Sequence, residues 1–549
     1  MKDKKRIRLW LFSLVFLAVI GLIVVSCAPA PAPAPTPTPS LTPKPEGTFV
    51  WGADIAGTGT FVPWVCTSQD SLRSMAVYDT LSYASSEFES IRGLAERIEY
   101  SKDFLTLTIW LRKGIQFQDG WGELTAEDVK HTFEGMGSEG CVSTVRWMFQ
   151  EDIESMEVVD PYTLVIHQKK PAVDLWSPLF LETYYLPIVC KKYMETVGFD
   201  KANLEPIGSG PYRLVEHRIG DYAKFEASEE HWRVVPEFKY LIIQIVPEES
   251  TRVAMLKTGQ IDATRISVAS IPEIPKEEFT TAYWPGGPNT HIVFSGIVLP
   301  EDERYKEGYH NQDPWADVRV REAMNIALDR ETMNKAIHLD TAKPITICQQ
   351  LPGWEELKPY PYDPERAKQL LAEAGYPNGF SFDLIYLPSP GVPMLQRETE
   401  AAAGYWEQIG LRPKIIPREF PSWFPTLRAL ENAGTLTTMR YTYTPEPLVN
   451  WKCHLPNGTW AVYQDEELVN INEKLTVTLE MEKRQAIWRE IGQHLHDSYA
   501  TVGLFAVPQI IVSNSQKVGD WPTNWSTNYF NFEYVRHAES LNTFRLFTP

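Results

Sequence analysis

The sequence predicts an α/β protein with more than one lobe. Alternating apolar and polar strand-like runs are interspersed with helical segments carrying one apolar face. About 500 residues follow a proline-rich stretch, a length that usually divides into two or three bodies. The chain is also rich in large aromatics, with 18 Trp, 24 Tyr and 24 Phe.

The N-terminus is read first. A basic start from Lys2 to Arg8, an apolar run from Leu9 to Val25 and the small residue Ser26 form a secretory signal. The apolar run lies at the short limit for a membrane span. Proline repeats directly behind it suit removal better than a span that must pack. Cys27 at the exit resembles the bacterial lipobox, which implies a lipidated thiol at the mature N-terminus and a working place outside the cytoplasm. Residues 28–46 alternate Ala-Pro and Thr-Pro, an extended polyproline spacer rising about 3.1 Å per residue and forming no core.

The formal net charge is −19, and loss of the basic leader takes it near −23. An acidic body excludes nucleic acid and anionic lipid as partners. Membrane contact is expected through the anchor alone.

Thr48 to Ile55 reads as the first strand. Ile98 to Ile115 reads as a strand pair, with Leu105, Leu107, Ile109 and Leu111 alternating, and Asp119-Gly120 turns the chain. Thr125 is placed to cap a helix, with Glu127 and Asp128 at its positive end. Tyr162 to His167 is a further strand. Tyr212 to Glu216 and Tyr222 to Glu226 flank Gly220 as a hairpin, and Leu241 to Val246 is strand-like. Thr251 to Thr258 is a helix stopped by Gly259. Asp317, Asp329 and Asp363 begin three helices, the last with Pro364 at its first position and Gly375 beyond its end. Phe382 to Tyr386 is a strand, and Ile487, Ile491 and Leu495 stripe a late helix.

Beyond Cys27, five cysteines remain: Cys66, Cys141, Cys190, Cys348 and Cys453. Their spacings form no metal knuckle and leave connectivity open; the odd count leaves at least one thiol free or paired with another molecule.

The order of several motifs resembles extracytoplasmic solute-binding proteins of family 5, the receptors of peptide, nickel and oligosaccharide ABC importers. The motifs are Leu111-Arg-Lys-Gly-Ile-Gln-Phe-Gln-Asp-Gly120 followed by Leu124-Thr-Ala-Glu-Asp-Val129, then Pro206-Ile-Gly-Ser-Gly-Pro-Tyr-Arg-Leu-Val215. Ala254 to Asp262, Val318 to Arg330 and Asp363 to Gly375 complete the series. The matches run in order from about Thr48 to Ile510. Their residues read as turns and caps, so they identify the scaffold rather than the ligand site; the Gly208–Pro211 turn is expected to need glycine's open backbone angles.

The resemblance implies a two-lobe periplasmic-binding-protein-like fold, type II, cluster C, with an extra inserted α/β subdomain. It implies lobe 1 from 47–90, 195–283 and 512–549, an inserted subdomain at 91–194 and lobe 2 at 284–511. The chain would cross near Tyr283–Gly287 and Leu504–Pro508. It further implies a non-enzymatic, monomeric receptor without cofactor or metal, closing on a small solute and serving ABC permease subunits.

Peptide-binding relatives grip the peptide amine with an acid behind a tryptophan. The matching stretch, Met439 to Pro447, aligns two ways: Tyr443 at the tryptophan with Glu446 as the acid, or Tyr443 at the acid with no anion. Glu446 would favour an amine, and tyrosine walls, with Tyr441, a sugar or flat apolar ligand. Trp423, Trp284, Trp51 and Tyr83 are further aromatic candidates for the cleft, each with plain packing as its other reading; Trp451 is a weaker one.

Several signals fail on geometry. Gly135-Met-Gly-Ser-Glu-Gly140 follows a helix rather than a strand, so it is no dinucleotide loop. Gly208-Ser-Gly210 is too short for a nucleophile elbow. His494 and His496 lie two apart on a helix and diverge. A tethered polysaccharide hydrolase would need two carboxylates across a cleft, and nothing in the sequence nominates a pair. A surface binding protein that no longer transports remains a third reading of the same fold.

Overall fold

The structure is a computed structural model. It describes residues 44–542 except 68–69, 85–89, 144–145, 174–185, 285–286, 389–391, 393, 442–450, 459 and 520–531. Cys27 and the spacer up to residue 43 therefore lie outside the described residues, as do Tyr443 and Glu446.

Two large sheets organise the chain. The first has seven strands, in the order Tyr212–Arg218, Tyr222–Ala227, Phe238–Ile245, Glu46–Ala53, Ala263–Ile266, Gln509–Asn514 and Phe279–Trp284. Glu46–Ala53 runs parallel to both of its neighbours. The apolar side chains of this strand fall on alternate positions: Phe49 and Trp51 are buried, and both rings pack near Phe532. Val253, Leu256 and Ile261 form a separate apolar layer with Ile510 and Val512.

The second sheet has six strands, in the order Lys343–Pro344, Thr501–Ala506, Asn289–Phe294, Thr435–Tyr441, Ser381–Tyr386 and Arg412–Pro417. Ile292, Phe294, Leu384 and Leu436 pack with helices Val318–Ile326, Pro364–Glu373 and Leu395–Gln408. Trp406 anchors that layer, its indole N–H donating to the Met324 carbonyl at 2.8 Å. A smaller antiparallel sheet, Ala95–Tyr100, Thr106–Leu111, Thr163–Gln168 and Ile153–Asp160, stands apart in sequence between segments of the first.

Helix starts follow the caps legible in the sequence. Thr125 and Asp128 form a reciprocal capping box on Ala126–Met136. Asp317, Asp329 and Asp363 accept from the backbone N–H groups of Arg319, Thr332 and Arg366. The helix expected at Thr251 begins two residues earlier, at Glu249, and Gly259 follows it with a positive φ of 70°.

The turn around Gly208–Pro211 needs glycine for a different reason than backbone angle. Neither Gly208 nor Gly210 has positive φ. A Cβ on Gly208 would sit 2.0 Å from the Val77 carbonyl oxygen, and one on Gly210 2.5 Å from the Val77 carbonyl carbon. The close approach lets the Gly210 N–H donate to the oxygen of Val77, the last residue of the helix Ser71–Val77, at 2.8 Å.

The chain passes from the first sheet to the second between Trp284 and Asn289, and returns between Ala506 and Gln509. The two crossings lie side by side. Val507 N–H donates to the Pro288 carbonyl at 2.9 Å, and a Cβ on Gly287 would meet the Val507 oxygen at 1.9 Å.

Candidate functional site

Topology places a site beside these crossings. Strands Glu46–Ala53 and Ala263–Ile266 end at the edge where Gln509–Asn514 begins. In the second sheet, Ser381–Tyr386 and Thr435–Tyr441 end at the edge where Asn289–Phe294 begins. The carboxyl edges of both sheets thus flank the crossings, the usual position for a ligand in parallel α/β sheets. A cavity of about 80 Å³ lies there, room for several waters.

The wall from the first sheet is charged. Asp54, one residue past its strand, accepts from Arg265 at 2.6 Å. Burial would raise the Asp54 carboxyl, but Arg265, by charge and hydrogen bond, and then Arg252 hold it below the usual carboxylate range. Arg252 and Glu249 come from the helix Glu249–Lys257 and also line the cavity. Arg252 donates to the carbonyls of Val246 and Pro247 at 2.8 and 2.7 Å. Glu249 accepts from the Ser267 N–H and from the hydroxyls of Ser267 and Ser270.

The opposite wall mixes apolar and polar side chains. Val392 and Met394 line it beside Thr341 and His338. The His338 side chain is only 1% exposed, with Nε2 2.9 Å from Oε1 of the fully buried Glu398. Arg440, at the end of Thr435–Tyr441, feels burial first, then repulsion from Arg265, both lowering its pKa, with Asp54 opposing them. Electrostatics therefore couples the second sheet to the Asp54–Arg265 pair of the first.

The aromatic candidates scatter. Trp51 is fully buried in the first sheet, edge-on to Phe532. Tyr83 is buried, its hydroxyl donating to Asp79 at 2.8 Å with Arg233 over its ring. Tyr441 is buried in the second sheet, its ring 4.4 Å from His291, and it accepts from the Trp460 indole at 3.3 Å. Trp423 is half-buried on the helix Phe420–Arg428, and its indole N–H is buried without a hydrogen-bond partner. Trp284 ends its strand at the first crossing, its side chain outside the described residues. Trp451 is buried and donates to Asn472. None of these described side chains lines the cavity.

The residues that do line it were not singled out in the sequence. Asp54 and Arg265 look like ordinary surface charges there. Each stands at or near the carboxyl end of a strand of the first sheet, a position that only the sheet order reveals.

The five described cysteines are unbridged. Burial pushes the thiols of Cys66 and Cys348 up to about 12, so neither is a nucleophile at neutral pH. Among the described residues no cluster of His, Cys, Asp or Glu could hold a metal ion, and no helix is long and apolar enough to cross a membrane.

Two α/β lobes bearing a charged cavity beside paired crossings define the fold of the periplasmic binding proteins. The chain belongs to the bacterial extracellular solute-binding proteins of family 5, whose middle region it matches over residues 89–450. It is 31% identical over 329 residues to the glutathione-binding protein GsiB of Salmonella choleraesuis strain SC-B67, covering 59% of this chain and 60% of that one. The chain thus matches about three-fifths of the length of that curated relative. Among solved structures, DppA of Helicobacter pylori in complex with the peptide STSA superposes with a TM-score of 0.73 at 20% identity, covering 90% of this chain and 99% of that one. NikA of Brucella suis in complex with Fe(III)-EDTA gives 0.75 at 20% identity, covering 90% of this chain and all of that one. The expected two-lobe α/β fold and the family resemblance are both borne out.

Proposed function

We propose that this chain is the lipid-anchored substrate-binding component of an ABC importer, enclosing a peptide-like or other small organic solute between its lobes and delivering it to the permease unchanged. One observation carries the reading: a buried, charged cavity at the carboxyl edges of both sheets, beside crossings narrow enough to hinge. The lobes of this reading are 47–90 with 195–283 and 512–549, against 284–511, with 91–194 inserted. Similarity to proteins named for glutathione, peptide and metal-chelate binding supports a small polar solute.

The cavity's two carboxylates argue against a glycoside hydrolase. Asp54 is engaged by Arg265, and Glu249 by Ser267 and Ser270, so neither is poised as acid or nucleophile. Anchoring would come from lipid on Cys27, with the spacer holding an acidic monomer off the membrane. Two measurements test the reading. Native mass spectrometry after gentle purification is expected to show a carried small solute, and calorimetry with peptides, sugars and amines to show reversible binding without turnover. Steady substrate turnover with no binding of any solute sinks it. Intact-mass analysis of the N-terminus, finding a retained leader and a bare Cys27 thiol, removes the anchoring part.

A further inference from the structure

We propose that the inserted subdomain latches the two lobes together, through a backbone hydrogen bond from Val173 to Thr476 and through Lys452 seated on the ring of Trp147. This rests on the solute-binding reading above and adds a part to it: closure is held by the third body of the protein as well as by the solute.

The inserted subdomain is tied to the first lobe. The Gln118 side-chain amide donates to the carbonyls of Gly210 and Tyr212 at 3.1 and 2.9 Å, and the Gln118 N–H to that of Gly208 at 2.9 Å. Tyr212 begins the outermost strand of the first sheet. Within the subdomain, the segment after strand Thr163–Gln168 is braced on the small sheet. Gln168 donates to the carbonyls of Phe104 and Ala172 at 2.8 and 3.0 Å, and the Tyr100 hydroxyl to that of Val173 at 3.0 Å. So braced, Val173 donates its own N–H to the Thr476 carbonyl at 3.0 Å.

Thr476 belongs to the second lobe. It is the last residue of helix Glu466–Thr476, whose end Arg484 holds by donating to the carbonyls of Leu475 and Thr478 at 3.0 and 2.8 Å. The chain leading into this helix is tied beyond strand Asn289–Phe294: the Gln464 N–H donates to the Ile297 carbonyl at 3.3 Å, and its side chain accepts from the Leu299 N–H at 3.0 Å. The last carbonyls of a helix have no partner within it, so the subdomain completes a helix end of another body. The second contact lies nearby in both chains. Lys452 Nζ stands 4.6 Å from the Trp147 ring centroid, and Trp147 leads through Met148–Asp152 into strand Ile153–Asp160 of the small sheet. Neither contact involves the crossings or a solute. Val173 is 1% exposed, so parting the lobes moves a buried N–H into water. A hydrogen bond exchanged for water and a partly exposed cation–aromatic contact are each worth a few-fold in an equilibrium. A latch of that size biases the lobes towards closure without locking them, as release of a solute demands.

The test uses the full chain in detergent, with Trp147→Leu, Lys452→Met and the double variant. Hydrogen exchange at the Val173 amide reads the contact without any solute. In the unaltered chain it is expected to run on the order of tenfold or more slower than in an unstructured peptide, and unprotected exchange overturns the latch. Each variant is expected to speed it about two- to fivefold, the worth of one cation–aromatic contact. Calorimetry and stopped-flow binding with trialanine and glutathione as probes read the function. Each single variant is expected to bind a probe about two- to fivefold more weakly, by faster dissociation, and the double variant no more weakly than either, because both remove one contact. Binding unchanged in all three variants overturns the latch and leaves the receptor reading standing. Should neither probe bind the unaltered chain, exchange at Val173 decides: faster exchange in the variants supports the latch and unchanged exchange overturns it. Protection along Thr163–Gln168 checks that each variant is folded. A misfolded variant leaves the Val173 measurement in the unaltered chain to decide.

Discussion

Two buried ion clusters in this molecule are built from similar residues and differ in what surrounds the carboxylate. Around Asp79, both carboxylate oxygens are taken. Tyr83 donates at 2.8 Å, Ser209 at 3.0 Å and the Trp232 indole at 2.8 Å, while His231 lies at 3.3 Å and Arg233 at 3.5 Å. Burial would raise Asp79, yet His231, then Arg233 and Trp232, hold it well below the usual carboxylate range. The cluster ties the turn at Ser209 to the segment around Trp232 and, through Arg233 and Glu533 at 2.9 Å, to the C-terminal region. The cluster at the crossings holds its carboxylate by a shorter ion pair, Asp54–Arg265 at 2.6 Å, and lines a cavity. A cluster that satisfies its carboxylate holds the fold. One that lines a cavity can be reached by a ligand.

The comparison is broken or sharpened by substitution. The largest effect is expected at Asp79. Asp79→Ala removes the shared acceptor of Tyr83, Ser209, Trp232 and His231 in the interior and is expected to cost about 3–5 kcal/mol, read as a fall in denaturation midpoint; a loss under about 1 kcal/mol would demote the cluster to decoration. Gly287→Ala comes next. Its Cβ has no room against Val507, and the crossings must separate, at about 1–3 kcal/mol. The same variant is expected to widen the lobe angle seen by small-angle scattering, and an unchanged profile counts against the crossings as a hinge.

Asp54→Asn is smaller. It removes the charged acceptor of the 2.6 Å bond from Arg265, costing about 1–2 kcal/mol. Thermal denaturation is expected to show the lower stability; an unchanged midpoint would mean that the pair does not hold this edge of the sheet.

The smallest effect lies outside both clusters, at the half-exposed pair His494–Asp465, 2.6 Å apart. The hydrogen bond that His494 donates to Asp465 raises the histidine, with burial opposing. Burial would raise Asp465, but His494 and the Leu468 N–H hold it low. A raised histidine stabilises below its unfolded pKa of about 6.5, and that stability fades as pH rises through the folded value. A lowered aspartate stabilises above about 4 and fades on acidification. The pair therefore contributes most between those limits, by less than about 1 kcal/mol given its exposure. His494→Gln is expected to flatten the decline in stability above pH 6.5, and an unaltered slope in pH-resolved denaturation refutes it.

Much of the scaffold was legible beforehand because its signals are local. Helix caps at Asp317, Asp329 and Asp363 are read from one residue and its next three neighbours, and they stand where expected. The hairpin Tyr212–Arg218 with Tyr222–Ala227 follows from alternation around Gly220. The candidate site was harder, because aromatic character does not say which way a ring faces. Trp51 and Tyr83 belong to packed interiors, whereas Asp54, Arg265 and His338 gave no local sign of lining a cavity. The need for glycine at 208 and 210 was legible, but its reason was not: it lies in a carbonyl more than 130 residues earlier.

By itself, then, the sequence determined the element types, their caps, the family and the acidic character of the chain, since each follows from neighbours in the chain or from bulk composition. Only the tertiary structure decided which charges meet. Asp54 and Arg265 are 211 residues apart, and His338 reaches Glu398 across 60. Those distances close through sheet order and packing, and no local pattern encodes a long-range pair.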